Sequence, residues 1–434
     1  MLTMIEAKTQ NWLDLAEAAQ AALVEGARDA QPVSGLTHNF YRYPARFSPA
    51  FVRAAIETFT APGDTILDPY VGGGTSLVEA LALGRHGVGI DISQLAEFVA
   101  TVKTTVLDEE EIAALEEWAS RVGVAVHQHK PSIHFADYAE RGYYKHLDDP
   151  SRWRLRRAIE QALGTAICLP SPRLEAFARC VILRTAQWAL DSRRKLPSVP
   201  EFRNMLGEIA GQMIAGAREL RGAMQRHGAS PSIRIFNRSA AGLEADDALA
   251  SMAPPKLVVT SPPYPGVHVL YHRWQVDGRK ETAAPFWIAN KLDGAGLSYY
   301  TMGDRKNPEL RTYFENLRAA TSSIVRLCDA ATTIVQMVAF SDPSWQLPRY
   351  LEIMEEAGLA EAFLPALAGD RDGRLWRSVP NRRWYAYQRG ETPGSQEVVL
   401  IHRLAGAAAT RPAQPGRSDQ SHLQLDHPNF GSLG

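Results

Sequence analysis

The sequence predicts an α/β fold with a mostly parallel sheet, a long helical insert and a closing antiparallel hairpin. Three observations carry this. A strand, glycine turn, helix and strand follow one another from Thr65 to Asp91. Short apolar runs at 233–236, 257–259 and 331–338 alternate with stretches of helical spacing, the pattern of βα units on a parallel sheet. Between the second and third of these strands, residues 104–232 show mostly helical spacing.

In chain order, residues 4–30 read as an amphipathic helix with Leu13, Ala16, Gln20 and Leu23 along one face, ended by Gly26 and Pro32. Packing or dimerisation is its expected role. Residues 37–49 are dense in aromatics, cations and proline and run into a helix at 51–59. Arg46 or that helix's N-terminus could hold a carboxylate and Phe47 an apolar group; a loop that merely covers the sheet edge has the same composition.

The unit at 65–91 is more specific. Thr65, Ile66 and Leu67 form a short strand ending in Asp68-Pro69-Tyr70-Val71-Gly72-Gly73-Gly74-Thr75, a helix follows, and a second strand carries Asp91 at its tip. The glycines let the backbone approach a ligand closely, the helix start offers unpaired N–H groups, and the acid would accept from ribose hydroxyls. The spacing does not match GxGxxG, which disfavours a dinucleotide and leaves a nucleoside-type cofactor.

Helices are expected near 108–120, 151–163, 173–194 and 201–227. In the third, Leu174, Phe177, Val181 and Trp188 share a stripe, with Arg179 and Arg193 on the other side. Residues 151–226 hold fourteen Lys or Arg against six Asp or Glu, the expected footprint of phosphate contacts, although a solvated bundle face reads the same way. The strand at 233–236 ends in Asn237-Arg238-Ser239; Asn237 or Ser239 could bond a base amino group or cap the following turn.

The strand at 257–259 runs into Thr260-Ser261-Pro262-Pro263-Tyr264. Two prolines fix φ and donate no backbone hydrogen bonds, so this turn holds Ser261 and its carbonyls in a stiff array suited to a planar group bearing an NH2. Residues 265–308 lack periodicity but carry His268, Tyr271, His272, Arg273, Trp274, Arg279, Lys280, Trp287, Tyr299, Tyr300 and Arg305; a long aromatic loop reads as substrate-facing. Helices at 309–327 and 347–358 and a strand at 331–338 complete the sheet, with a hairpin of 382–388 and 397–403. From Ala405 the composition predicts a disordered tail. The domain boundaries expected are thus 1–36, 37–103, 104–232, 233–404 and 405–434.

The formal charge of −1 makes the whole chain neither polyanion nor polycation, so a nucleic acid would need a local basic surface. Cys168, Cys180 and Cys328 lie far apart without a Cys/His cluster, which points to a reducing compartment and no zinc. No apolar run approaches membrane-spanning length and the first residues lack a leader pattern, so the expected location is the cytoplasm, at the nucleoid, with no membrane and no metal partner.

DPYVGGGT at 68–75 and TSPPY at 260–264 resemble the cofactor and catalytic motifs of amino-group DNA methyltransferases, TSPPY being most like the cytosine-N4 enzymes. HNFYRYPARFSP at 38–49 is similar to that family's motif for the methionine end of the cofactor, and EVVLIHR at 397–403 resembles its closing strand. The resemblance covers 37–100 and 233–403. It implies a class I S-adenosylmethionine-dependent sheet, with Phe47, Asp68, Pro69, Tyr70, Gly72, Gly74, Thr75, Asp91 and Ser239 binding S-adenosylmethionine. It implies that Ser261 and the Pro262 carbonyl accept the amine hydrogens, with Pro263 stiffening the turn and Tyr264 stacking on a flipped base. Double-stranded DNA is then the partner, with a restriction nuclease or other defence-system protein beside it. Tyr70 stands where the family usually has Phe, and Asn237-Arg238-Ser239 where it often has an acid. Adenine-N6 transfer, guanine-N2 transfer on RNA and a catalytically silent binding subunit are the alternatives. Carbon-5 methylation requires a cysteine nucleophile, and no cysteine has a catalytic setting.

Overall fold

The computed structural model describes residues 11–43, 47–127, 130–228, 230–266, 272–278, 280–294, 300–303, 307–370, 372–378 and 396–406. The strands are β1 Thr65–Asp68, β2 His86–Asp91, β3 Ile233–Asn237, β4 Leu257–Thr260, β5 Trp274–Asp277, β6 Lys280–Thr282, β7 Thr333–Ala339, β8 Leu359–Ala362, β9 Leu375–Ser378 and β10 Gln396–Leu404. The helices are α1 Glu17–Arg28, α2 Pro49–Phe59, α3 Thr75–Ala82, α4 Gln94–Thr104, α5 Glu109–Ala125, α6 Ala136–Glu140, α7 Trp153–Ile167, α8 Pro172–Leu190, α9 Val199–Gln225, α10 Asp247–Ala250, α11 Ala284–Ala289, α12 Arg311–Arg326 and α13 Pro343–Glu356.

The central sheet runs β3-β2-β1-β4-β7-β10-β8, with β9 also paired to β10. β3, β2, β1, β4 and β7 are mutually parallel, while β10 runs antiparallel to β7, β8 and β9. Chain order turns back between β1 and β4, and in such sheets the crevice at that point, beyond the carboxyl ends of the strands, is where ligands bind. β4 is buried at every position, which explains why it reads as an unbroken apolar run rather than an alternation.

One sheet face packs on α1, α2 and α3 through Leu23, Phe51, Ile56 and Leu77; the other packs on α12 and α13 through Tyr313, Phe314, Leu317 and Tyr350. The helices of the insert enclose their own core, around Ile112, Leu163, Phe177, Phe202 and Leu206, joined to Phe98 of α4. Side-chain caps fix helix starts where the sequence allows: Ser48 and Pro49 open α2, and capping boxes open α5 (Asp108, Glu111) and α9 (Ser198, Glu201).

Several expectations are corrected. The first helix begins at Glu17, because the chain before it is extended: Trp12 bridges Phe363, and Leu13 N–H donates to the Phe363 carbonyl at 2.8 Å. Leu13 is buried by that pairing, not by a helical face; residues 4–10 lie outside the described residues. The stretch 265–308 is not one open loop. β5 and β6 form a hairpin, α11 follows, and Trp274, Phe286 and Trp287 are buried in the insert core. His268, Tyr271, Arg279, Tyr299 and Arg305 lie outside the described residues. The closing strand β10 pairs with β8 and β9, neither anticipated; 382–388 and the tail from 407 are also outside the described residues.

The basic insert is corrected as well. Over 104–232 the count is eighteen Lys or Arg against sixteen Asp or Glu, since the acids lie upstream of the cationic helices. Fold and sequence distance bring them together: Arg218 meets Glu116 at 2.7 Å, Arg221 meets Glu109 at 2.6 Å, and Arg173 meets Glu111 at 3.3 Å. Arg179, expected on the outer face, is buried, bonded to Glu175 and to the Ile288 carbonyl of α11.

Candidate functional site

At the tip of β1 the chain must turn sharply into α3. Gly72 and Gly74 take left-handed φ of 47° and 74°, which side chains resist, and a Cβ on Gly73 would lie 2.8 Å from the Tyr43 ring. Gly74 sits at the N-cap of α3 and brings no side chain to its first N–H groups. Asp91, at the tip of β2, accepts from Gly72 N–H at 2.9 Å and Ser93 N–H at 2.8 Å, one on each carboxylate oxygen. Burial, followed by the nearby Asp68 charge, pushes its pKa up to about 6 against the pull of those two bonds. Among the described residues no cation pairs with it. A carboxylate with an open lone pair on each oxygen, beside a glycine turn, fits a vicinal diol.

Asp68 does something different from what its motif position implies. Its side chain is buried and committed inward, accepting from Tyr70 N–H at 3.1 Å, Thr260 Oγ1 at 2.6 Å and Ser76 Oγ. Burial raises its pKa to about 6 although all three bonds oppose the shift. This carboxylate therefore ties the glycine turn to β4 and α3, and leaves only backbone for a ligand. The Tyr70 hydroxyl is buried and finds no partner among the described residues. Thr75 is buried in the first turn of α3.

β4 delivers Thr260 against Asp68 and continues into the proline turn. Ser261 is partly buried and its Oγ lies 2.8 Å from the Tyr264 hydroxyl, which donates to Glu397 Oε1 of β10 at 2.7 Å. Glu397 Oε2 receives Nε and Nη2 of Arg377, on β9, at 2.8 and 2.7 Å, and Arg377 Nη1 reaches the Ala27 carbonyl of α1 at 3.2 Å. The Tyr313 hydroxyl donates to the Pro263 carbonyl at 2.7 Å; Pro262 itself is buried. Tyr264 is only 9% exposed, and its ring packs in the sheet core with residues such as Leu67 and Val258. The hydroxyl of this ring is thus held from both sides, by Ser261 and by Glu397.

The segment before the glycine turn is also pinned. Gln187 of α8 bonds both the N–H and the carbonyl of Arg42, at 3.1 and 2.9 Å, and Trp274 Nε1 donates to the Tyr41 hydroxyl at 3.0 Å. Lys103, fully buried on α4, donates to the Gly73 carbonyl at 2.7 Å. Phe47 is part-buried against the Phe51 ring, centroids 5.9 Å apart; Arg46 lies outside the described residues. At the tip of β3, Asn237 Nδ2 donates to the Asp91 carbonyl at 3.0 Å, which brings that strand end to the acid, while Ser239 Oγ accepts from Ala241 N–H at 3.1 Å. His272 Nδ1 lies 3.0 Å from Ser93 Oγ and its ring stacks on Tyr300 at 3.9 Å. Burial and the neighbouring Arg273 lower the His272 pKa to about 3, so the ring is neutral.

Gly72, Gly74, Asp91, Thr260 and Ser261 thus meet at adjoining strand tips. Glu397, Arg377, Gln187, Lys103 and Tyr313 belong to the same assembly and escaped the sequence reading. Lys103 alone carried a signal, a lone cation in the apolar spacing of α4. Among the described residues no group of three or more His, Cys, Asp or Glu side chains could hold a metal ion, and no helix is long and apolar enough to cross a membrane.

Residues 17–101 match the family model described as DNA methylase. The type II methyltransferase M.BsoBI of Geobacillus stearothermophilus is 39% identical over 72 residues, 16% of this chain and 14% of that protein. M.MjaII of Methanocaldococcus jannaschii is 36% identical over 66 residues, 15% and 12% of the two chains, and M.MvaI of Kocuria varians 36% over 81 residues, 18% of each. The chain thus spans under a fifth of the length of the curated relatives it matches. Among solved structures, an rRNA methyltransferase, aviRa from Streptomyces viridochromogenes, aligns with 90% of this chain and 94% of that one at 11% identity and a TM-score of 0.30, too distant a likeness to carry an inference. The sequence resemblance to amino-group DNA methyltransferases stands on the family match and these relatives, which do not separate cytosine-N4 from adenine-N6.

Proposed function

We propose that this chain moves the methyl group of S-adenosylmethionine to the exocyclic N4 amine of a cytosine turned out of duplex DNA. One observation carries the reading. Thr260, the first residue of TSPPY, donates to Asp68, the first residue of the glycine-turn motif, at 2.6 Å. The two motifs therefore adjoin at the tips of β1 and β4, which supports reading one as the amine acceptor and the other as the nucleoside cradle.

When bound, S-adenosylmethionine supplies an activated methyl group whose carbon–sulfur bond breaks as the carbon–nitrogen bond forms. The protein's own part is to bind and to aim. Gly72, Gly74 and the start of α3 offer close backbone approach, Asp91 accepts from the ribose hydroxyls, and Phe47 covers the apolar end. Ser261 and the Pro262 carbonyl accept the two amine hydrogens, which orients the nitrogen lone pair and stabilises charge as it develops. A serine hydroxyl is too weak a base to deprotonate the amine beforehand, so the surplus proton passes to water afterwards. A cysteine route finds no support: Cys180 is buried against the Phe40 carbonyl and its thiol pKa is pushed up to about 12 by burial, as is that of Cys328.

Serine rather than an acid at position 261 supports cytosine over adenine, and DNA over RNA, on the strength of the family resemblance. Duplex DNA is the proposed partner, with a restriction nuclease or other defence-system protein beside it. The test is transfer of labelled methyl to DNA and to RNA by the purified chain, with the product digested to nucleosides. Label in N4-methyldeoxycytidine is expected. Label in N6-methyldeoxyadenosine would overturn the choice of base, and label in RNA alone, or none, would overturn the function.

A further inference from the structure

The direction of the hydrogen bonds below Ser261 is determined, and we infer from it that Glu397, through Tyr264, sets the serine hydroxyl as a pure acceptor toward the amine. This rests on the amine-methylation reading and deepens it: Tyr264 and Glu397 become positioning residues for the acceptor.

The hydrogen-bond chain starts at Arg377, whose guanidinium does not deprotonate and can only donate. Its Nε and Nη2 both point at Glu397 Oε2, at 2.8 and 2.7 Å, in a pair that is buried on both sides. Glu397, so paired, is a carboxylate and can only accept. Its Oε1 lies 2.7 Å from the Tyr264 hydroxyl, so the single phenolic proton goes to Glu397. The Tyr264 oxygen is then left with lone pairs alone to face Ser261 Oγ at 2.8 Å. That contact has one arrangement open to it, in which Ser261 donates and Tyr264 accepts. The serine proton is thereby turned away from the crevice, and both lone pairs of its oxygen remain to receive an N–H. A serine free to rotate would present its proton to an incoming amine part of the time, donor facing donor.

The Tyr264 hydroxyl thus has a task of its own. The phenol converts a carboxylate, which placed directly at position 261 would be charged, into a neutral acceptor of fixed orientation one bond further out. The far end of the chain is anchored too, by Arg377 Nη1 on the Ala27 carbonyl of α1.

Glu397→Gln reverses the chain without removing it. The Gln carbonyl must face the Arg377 donors, which puts its NH2 toward Tyr264. The phenolic oxygen then accepts, its proton turns onto Ser261, and one serine lone pair is consumed while the serine proton is released toward the amine. In single-turnover methyl transfer by the full chain, Glu397→Gln should be slower by about a hundredfold, the size of effect seen when one transition-state hydrogen bond is lost, with S-adenosylmethionine affinity by calorimetry within twofold of the unaltered protein. Tyr264→Phe leaves the serine to rotate and should cost about tenfold. The distinguishing variant is the double one. With the phenol gone, Glu397→Gln has nothing to reverse, so Tyr264→Phe/Glu397→Gln should transfer about tenfold faster than Glu397→Gln alone. Loss of packing would make the double variant worse. A Glu397→Gln rate equal to that of the unaltered protein, or a double variant slower than Glu397→Gln, overturns the inference. Should Glu397→Gln not accumulate as folded protein, Tyr264→Phe decides alone, and an undiminished rate there overturns it. Absence of transfer by the unaltered protein overturns instead the reading on which this one rests.

Discussion

The strand-tip site and the helical insert both concentrate polar side chains, yet they use them in opposite ways. At the strand tips each polar group braces a turn that carries candidate site residues. Asp68 holds Thr260 and the glycine turn, Lys103 holds the Gly73 carbonyl, and Glu397 holds Tyr264 and through it Ser261. In the insert several cations face acids of the same bundle, as Arg218, Arg221 and Arg173 of α8 and α9 do with Glu116, Glu109 and Glu111 of α5. The difference teaches that a polar cluster points to a site when its bonds brace turns at strand ends, and to packing when they close on one another within a bundle.

Removing the atom at the end of a convergent chain should have the largest effect. Ser261→Ala deletes the acceptor and leaves the Asp68–Thr260 tie intact. A fall of about a hundredfold in single-turnover transfer is expected, with calorimetric affinity for S-adenosylmethionine near that of the unaltered protein. Undiminished transfer would place the acceptor elsewhere and end the contrast.

Asp91 tests the cofactor side, with a smaller effect. Its pKa in the folded protein is raised to about 6 by burial, above the ordinary aspartate value. The folded state therefore holds this proton more tightly than the unfolded state does. Asp91's contribution to the stability of the free protein falls as pH rises from about 4 to about 6, and is level above that. Ligand affinity should run the other way, because the ionised carboxylate is the better acceptor for ribose hydroxyls. S-adenosylmethionine is expected to bind about tenfold more weakly at pH 5 than at pH 7, following the ionised fraction of a group titrating near 6. Asp91→Asn should bind weakly and lose most of that dependence; an unchanged profile would assign the titration to Asp68, the other carboxylate raised to about 6.

What was legible in the sequence follows the same division. The glycine turn, Asp91 and TSPPY are set by residues adjacent in the chain, so their conformations could be read from φ requirements, proline and strand-end position. Their supports could not. Glu397 stands 133 positions after Tyr264, and Gln187 stands 145 after Arg42; only the fold makes them neighbours. Trp274 and Trp287 looked like part of an aromatic surface because 265–308 lacks periodicity, but a four-residue strand, a three-residue strand and a six-residue helix are too short to show one. Leu13 kept the helical spacing by coincidence while pairing as a strand.

The smallest expected effect concerns the insert itself. If its charge is spent internally, deleting a paired cation should hardly change DNA binding. Arg218 and Arg221 lie against Glu116 and Glu109, so Arg218→Ala and Arg221→Ala remove a charge that already faces a countercharge. The slope of log affinity against log salt should stay as it was. Arg194 and Lys195, by contrast, are exposed in the turn after α8, next to Ser192, whose N–H donates to the Gln275 carbonyl of β5. If phosphate contacts come from the insert, they come from cations of this kind, and each contact removed by Arg194→Ala or Lys195→Ala should flatten the slope by about one. A steep loss with Arg218→Ala would mean that its pair with Glu116 opens on DNA, and would return the insert to the role that its cation count along the chain implied.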